Sequence, residues 1–279
     1  MSTPVRSRSG ISIQTVDDWK QHASTEGNWQ PGFSAMELAR LWLDGAGSQA
    51  VVDALAPALP GLVLDEAVAE EQVRFDAYAG GVRNHDVLTW GHTQAGGAVI
   101  GVEGKVDESL DATIARKYKS AEDIKQKGDN TNLDKRVDAL LLAIVGRSLH
   151  DDPSLGGLRY QLFSAIAGTL AAARQDTVAA AVVIHLIRTP LAKVEKLQAA
   201  RDAVADSARA TGLDADGPVV GPIELNAEHA GGLAVSHSVP CWLAVVETRP
   251  LPTPSPASSR SGRSDRRSSV DRAGEWAGY

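Results

Sequence analysis

The sequence is poor in cysteine and in long hydrophobic runs. Cys241 is the single cysteine among 279 residues, so no internal disulfide can form, which suits a reducing cytoplasm. The longest apolar stretch, 178–187, is shorter than the about 20 residues that a membrane helix needs. The polar stretch 1–10 carries two arginines and is not followed by the apolar core of a signal peptide. We therefore expect a cytoplasmic protein that does not enter a membrane.

The chain also lacks an overall positive charge. Its formal net charge is −7, so the surface as a whole does not attract nucleic acid, and any such contact needs a local basic patch. The segment 116–136 is a candidate, with seven Lys or Arg residues against four acidic ones. It would either steer a phosphate backbone or form an ordinary solvated helix surface, and we favour the second interpretation.

Composition divides the chain into three parts. Residues 1–10 are rich in Ser and Arg and are expected to be flexible, whereas 11–248 contain enough apolar residues for a single α/β domain. The segment 249–279 is rich in Pro, Ser and Arg. It cannot supply a hydrophobic core, and we expect it to be disordered.

Apolar periodicity predicts helices interleaved with strands, which is typical of a mixed central sheet flanked by helices. Ser34 is the expected N-cap of the first helix, with Glu37 at the capping-box position. The stretch 65–78 is predicted to be helical because acidic residues are concentrated in its first turn. Helices are predicted over 35–43, 49–55, 65–78, 133–145, 158–174 and 191–210, and strands over 84–90, 98–105, 178–187, 219–225 and 239–247.

Two of these strands, 84–90 and 98–105, form a predicted β-hairpin with an acidic residue at the outer end of each. Paired residue numbers in such a hairpin have a constant sum, and Asp86 and Glu103 sum to 189, which centres the turn inside the predicted loop. The pairing brings the two carboxylates together, and alternation places Lys105 on the face of Glu103. Two carboxylates can hold Mg²⁺, and a nearby ammonium group can assist the cleavage of a phosphodiester.

Charged residues at strand ends are more often ordinary solvated surface, and an Asp/Glu-x-Lys tripeptide by itself is not specific. Two further features favour a site. Gly104 thins the strand between the acid and the lysine, which allows close approach of backbone or ligand. Asn84-His85, just before Asp86, makes a polar beginning to an otherwise apolar strand.

Asp86, followed after 16 residues by Glu103-Gly104-Lys105, resembles the motif of the PD-(D/E)XK, or restriction-endonuclease-like, nuclease superfamily. His85 stands where that family usually has a proline. The resemblance covers about 65–187 and implies a restriction-endonuclease-like α/β fold with a mixed central sheet flanked by helices. The strand end at 102–105 and the later helix at 158–162 also resemble an uncharacterised bacterial family.

The resemblance implies a role for each matching residue. Asp86 and Glu103 would hold one or two Mg²⁺ or Mn²⁺ ions. Lys105 would orient or help deprotonate the attacking water and offset the charge that develops on the phosphate. Glu70 or Glu71, on the preceding predicted helix, would supply the further acid that some members contribute; the sequence does not distinguish between the two.

Gln161 resembles the helix glutamine that braces the site in the RecB-like and phage-exonuclease branch. That branch has a tyrosine four residues later, where this chain has Ala165. A polar residue on the flank of a helix explains Gln161 equally well.

The sequence thus predicts a Mg²⁺-dependent protein that hydrolyses phosphodiester bonds in nucleic acid, with DNA the favoured substrate. One alternative is a catalytically inactive module that keeps the nuclease fold for binding or regulation. Another is a phosphatase-like enzyme that uses the same metal site on a small substrate. Protein partners and a homodimer stay open.

Overall fold

The computed structural model describes residues 3–23, 29–190, 192–229, 232–236 and 238–249. Strands within these ranges are β1 (Val5–Ser7), β2 (Val63–Val73), β3 (Arg83–His92), β4 (Gly97–Lys105), β5 (Thr177–Ile187), β6 (Val219–Ile223) and β7 (Cys241–Thr248). They form one mixed sheet in the order β1-β2-β3-β4-β5-β7-β6. This sheet and its covering helices confirm the predicted α/β class.

Helices cover both faces of the sheet. In the described part of the chain, one face carries α1 (Val16–Lys20), α2 (Ser34–Leu43) and α3 (Ala46–Leu55). The other face carries α4 (Ile114–Gln126), α5 (Leu133–Val145), α6 (Tyr160–Ala171) and α7 (Val194–Ala210). Along β5, Val182 and Ile184 face the α4–α7 layer while Val183 faces the α1–α3 layer. This strand is apolar throughout its length because it is buried on both faces.

The connections place α6 beneath the centre of the sheet. Strands β2, β3 and β4 form an antiparallel meander, and α4, α5 and α6 then lead to β5, which runs parallel to β4. Helix α6 contacts both β3 and β4 as a result. Its side chains can therefore reach the ends of these two strands.

The predicted helix over 65–78 is wrong, because Val63–Val73 form strand β2. Ala67 and Ala69 are fully buried, while the residues between and beside them are half-buried, which is the period of two of a strand. Pairing with β1 on one side and β3 on the other satisfies the backbone. These contacts outweigh the helix propensity of the Ala and Glu residues in this stretch.

The predicted capping box at Ser34 and Glu37 is also wrong. Phe33 is the N-cap of α2, no side chain caps this helix, and Ser34 is its first residue. The Ser34 hydroxyl instead accepts a hydrogen bond from Val106 N (3.0 Å) and donates one to Glu108 Oε1 (2.7 Å). It thereby attaches the beginning of α2 to the chain that leaves β4.

The N-terminal segment differs from the expectation that 1–10 are flexible. Val5–Ser7 form β1, which pairs in parallel with β2, and Val5 is buried in the α1–α3 layer. The edge of β2 offers free backbone groups, and β1 covers them. Residues 250–279, and with them almost all of the tail that the sequence predicts to be disordered, lie outside the described residues. Among the described residues, no helix is both long and apolar enough to span a membrane.

Candidate functional site at the ends of β3 and β4

The β3–β4 hairpin forms in the predicted register. Its last pair before the site is Val87 opposite Val102, which matches the expected sum of 189. Asp86 and Glu103 come one step later, where this pairing ends. Asp86 Oδ2 accepts a hydrogen bond from the backbone N–H of Gly104 (2.8 Å). The carboxylate thus takes the place of a backbone partner at the end of the ladder.

Glu103 lies on β4 beneath α6 and is almost completely buried. Gln161, at the beginning of α6, donates from Nε2 to Glu103 Oε2 (2.8 Å), as the resemblance implies for this glutamine. The Arg83 guanidinium forms an ion pair with Glu103 Oε1. His85 Nδ1 is 3.6 Å from the same oxygen, which is too long for a good hydrogen bond.

These neighbours keep Glu103 ionised. Burial alone would raise the pKa of this carboxyl, but the charge of Arg83, the adjacent His85 and the charge of Lys105 lower it to about 2. Glu103 therefore carries a full negative charge at pH 7.

Asp86 is shifted in the opposite direction. Burial and the negative charge of Glu103, with a smaller contribution from Glu70, raise the pKa of Asp86 to about 8. Lys105 and the bond from Gly104 oppose this shift without cancelling it. Asp86 therefore holds a proton at pH 7 unless a cation is bound beside it. Two neighbouring carboxyl groups with widely separated pKa values are characteristic of functional sites.

Sequence reasoning missed Arg83 altogether, and it noted His85 only as part of a polar beginning to the strand, without a contact to Glu103. Glycines make room for them: a Cβ at Gly168 of α6 would lie 2.7 Å from His85 Nε2 and 2.8 Å from Arg83 Cγ. A Cβ at Gly101 of β4 would lie 2.9 Å from His85 Nδ1. Neither ring nitrogen of His85 has a hydrogen-bond partner within the described part of the chain. Burial lowers the pKa of His85, so its imidazole is neutral at pH 7.

The alternation of side chains along β3 is interrupted at Asp86. Val87 faces the α1–α3 layer and Leu88 faces the α4–α7 layer. Regular alternation would turn His85 to the same face as Val87, yet His85 lies against α6. Opposite Asp86 on β2, Glu70 has a φ of 54°, which is rare for a residue other than glycine. Sequence periodicity contains no signal for this irregularity.

Glu70 and Glu71 lie on strand β2, so their predicted placement on a helix is corrected here. Asn84 Nδ2 donates to Glu70 Oε2 (2.9 Å). Glu70 is the member of the pair whose charge acts on Asp86. Glu71 is half-buried, and burial raises its pKa.

Lys105, at the end of β4, completes the charged cluster. Its side chain is largely buried, and its charge acts on both Asp86 and Glu103. Lys105 Nζ lies 3.9 Å from Glu108 Oε2. The other carboxylate oxygen of Glu108 accepts a hydrogen bond from the Ser34 hydroxyl of α2. The ammonium group is therefore close enough to both carboxyls to lower their pKa values.

The structure brings Asp86, Glu103, Lys105 and Gln161 together, with Glu70 adjacent. Within the described ranges, no three or more His, Cys, Asp or Glu side chains form a group arranged to hold a metal ion. The predicted ligands Asp86, Glu103 and Glu70 are thus neighbours that do not form a closed cage.

Four of the seven basic residues in the segment 116–136 form ion pairs, among them Lys117 with Asp111 and Arg136 with Asp76. Lys119 Nζ pairs with Asp123 (3.1 Å) and Lys125 Nζ with Asp134 (2.5 Å). These pairs favour the interpretation of the segment as a solvated helix surface.

Isosteric substitutions at the two carboxyls should change stability in opposite directions. Asp86 binds a proton in the folded state between about pH 4 and pH 8 that it lacks in the unfolded state, so its contribution to stability falls as the pH rises through this range. Asp86→Asn should therefore match wild type near pH 4 and exceed it by several kcal/mol at pH 8, because raising a pKa by one corresponds to about 1.4 kcal/mol. Glu103, whose folded pKa is lowered, stabilises above its unfolded pKa, so Glu103→Gln should be less stable at pH 7.

Urea unfolding at several pH values measures both effects, with the exposed Asp53→Asn as the control. Equal pH profiles for wild type and Asp86→Asn would contradict the raised pKa.

Comparison with known proteins shows a family but no relative of established activity. No curated protein and no solved structure matches the chain. One family model matches residues 12–219, which include every strand from β2 to β5 and all of the candidate site. The chain belongs to this family, which is described as a domain of unknown function (DUF6946).

Proposed function

We propose that the protein is a Mg²⁺-dependent nuclease-like enzyme that hydrolyses phosphodiester bonds in nucleic acid, with DNA the favoured substrate. One observation carries the proposal. Asp86, Glu103 and Lys105 meet at the end of the β3–β4 hairpin, and Gln161 from α6 is bonded to Glu103. This is the arrangement that the resemblance to PD-(D/E)XK nucleases implies.

The donor set fits Mg²⁺ or Mn²⁺. Mg²⁺ usually binds through one or two carboxylates and completes its shell with waters and substrate phosphate, so an open pair of carboxylates is sufficient. Glu103 is ionised in advance, and Asp86 holds a proton that an incoming cation would displace. Glu70 is a further carboxylate whose charge acts on Asp86. The ion would supply a Lewis acid for the phosphoryl oxygen and a water of lowered pKa.

The chain's own residues perform the remaining tasks. Lys105 orients the attacking water and offsets the negative charge that develops on the phosphate. Gln161 and Arg83 fix the Glu103 carboxylate, one at each oxygen. His85, neutral and buried, excludes water from the far side of that carboxylate.

A second candidate function is a catalytically inactive module that binds or regulates. The ion pair between Arg83 and Glu103 favours it, because Arg83 already neutralises the charge that a metal would neutralise. The raised pKa of Asp86 favours the enzyme, since a scaffold without a cation gains nothing from crowding two carboxyl groups.

Isothermal calorimetry with Mg²⁺ and Mn²⁺ separates the two functions. We expect wild type to bind with micromolar to millimolar affinity and Glu103→Gln to lose binding. Because Asp86 must lose its proton, binding at pH 7 should release about one proton, measured in two buffers with different heats of ionisation.

Asp86→Asn is the second variant, since Asn can still accept the bond from Gly104 N–H. Asp53→Asn should bind as wild type does. Binding that survives in both site variants would contradict the site. Absence of binding to wild type, with and without a phosphodiester oligonucleotide, would favour the inactive module.

A further inference from the structure

A pocket of about 240 Å³ lies beside the candidate site, between the N-terminal segment and β2. Arg8, Ser9 and His22 line it from the N-terminal side, and Glu70, Gln72 and Asn84 line it from β2 and β3. Its walls are mostly polar. A space of this size accommodates a phosphate group with part of a sugar.

The pocket holds several hydrogen-bond donors for an anion. Arg8 Nη1 donates to the Gln72 side-chain oxygen, which orients the guanidinium, and within the described residues its other N–H groups make no hydrogen bond to a side chain. Ser9, whose hydroxyl is hydrogen-bonded to the Ser7 hydroxyl (2.9 Å), and His22 also line the pocket. Planar guanidinium groups are well suited to phosphate because their N–H groups match its oxygens in pairs.

The N-terminal segment that supplies Arg8 and His22 is locally well organised. Ser7 Oγ accepts from Ile11 N–H (3.1 Å) across the turn that carries Arg8. Thr15 and Asp18 form a capping box at the beginning of α1, which leads to His22. The segment can therefore hold Arg8 and His22 in fixed positions, although the composition of 1–10 predicts a flexible chain.

Glu70 connects the pocket to the candidate site. It lines the pocket, and its charge also acts on Asp86. Its positive φ is a strained conformation for a glutamate, and the bond from Asn84 Nδ2 holds the side chain in place. Asn84 thus joins the pocket wall on β3 to Glu70 on β2.

We propose that this pocket binds a backbone phosphate of the nucleic-acid strand, next to the phosphate that is cleaved. The inference rests on the proposed function, because the pocket is lined by Glu70, whose charge acts on Asp86. Glu70 and Glu71 repel an anion, and the charge of Arg8 reaches Glu71. The strand therefore binds well only when a divalent cation offsets these carboxylates, and the cation and the strand strengthen each other's binding.

Arg8→Gln tests the pocket, and Arg6→Gln is the matched control. Arg6 lies two residues earlier, is exposed and does not line the pocket. Fluorescence anisotropy would follow a labelled single-stranded and a labelled double-stranded oligonucleotide with Ca²⁺ or Mg²⁺ present. We expect Arg8→Gln to weaken binding about tenfold, the value of one charged hydrogen-bonded contact, and to lower the salt slope by about one. Arg6→Gln should change neither quantity.

Metal calorimetry on the same variants separates this inference from the proposed function. Unchanged metal binding in Arg8→Gln, together with weaker oligonucleotide binding, would support the pocket. Equal oligonucleotide affinities for Arg8→Gln and Arg6→Gln would overturn the pocket while leaving the metal site intact. If wild type binds inorganic phosphate through Arg8 but no oligonucleotide, the ligand is a small phosphate and the strand proposal is wrong. If wild type binds no metal ion in this calorimetry, the proposed function is wrong instead.

Discussion

Asp86→Asn and Glu103→Gln are each expected to lower the rate of Mg²⁺-dependent cleavage by at least about a hundredfold, comparable to removing one charge-stabilising group from an active site. Asn keeps the acceptor for Gly104 N–H, and Gln keeps the shape that Gln161 and Arg83 contact. The substitutions therefore remove negative charge with little change in geometry. Cleavage of labelled DNA and RNA under single-turnover conditions measures the effect.

Lys105→Met should lower the same rate by a comparable factor while leaving metal affinity nearly unchanged. Its ammonium group acts on the reacting phosphate and water in the proposed mechanism, and the apolar part of the side chain is kept by Met. Asp53→Asn, on the exposed side of α3, should cleave as wild type does. Wild-type rates in both carboxylate variants would sink the assignment of the site. If wild type binds metal but cleaves neither DNA nor RNA, the nucleic-acid substrate is wrong and small phosphate esters become the expected substrates.

Asp76→Ala should destabilise the protein by about 3–5 kcal/mol, because it leaves a buried guanidinium without its partner. Asp76 Oδ1 accepts from Arg136 Nη2 (3.1 Å), and Asp76 Oδ2 pairs with Arg136 Nε. Both residues are buried, and the guanidinium also lies 5.7 Å from the centre of the Phe75 ring. The pair ties the chain between β2 and β3 to α5, and so fixes where β3 begins.

Urea unfolding checks this value, with Asp123→Ala as the control. Asp123 forms an exposed ion pair with Lys119 on α4, and its loss should cost less than about 1 kcal/mol. The double variant Asp76→Ala/Arg136→Met should recover much of the lost stability, because it removes both charges. A cost for Asp76→Ala as small as that of the control would show that the buried pair is not coupled to folding.

Local patterns in the sequence determined much of the fold and part of the site. The apolar periodicity of 133–145 coincides with α5, and the unbroken apolar run at 178–187 is the doubly covered strand β5. The hairpin register could be worked out by arithmetic, because two antiparallel strands joined by a short loop leave few pairings that bury one face. The register therefore predicted that Asp86 and Glu103 are neighbours without any tertiary contact.

Tertiary contacts decided the rest. The stretch 65–78 has helix-forming residues but forms β2, because it is paired on both edges. Arg83 and His85 reach Glu103 because alternation breaks beside Glu70 and because Gly168 leaves space in α6. Periodicity describes each strand by itself. An irregularity shared by two strands, and a cavity shared by a strand and a helix, exist only when the elements are packed together. The sequence alone thus determined which carboxylates meet, whereas only the packed structure decided which charges surround them and which of the two ionises first.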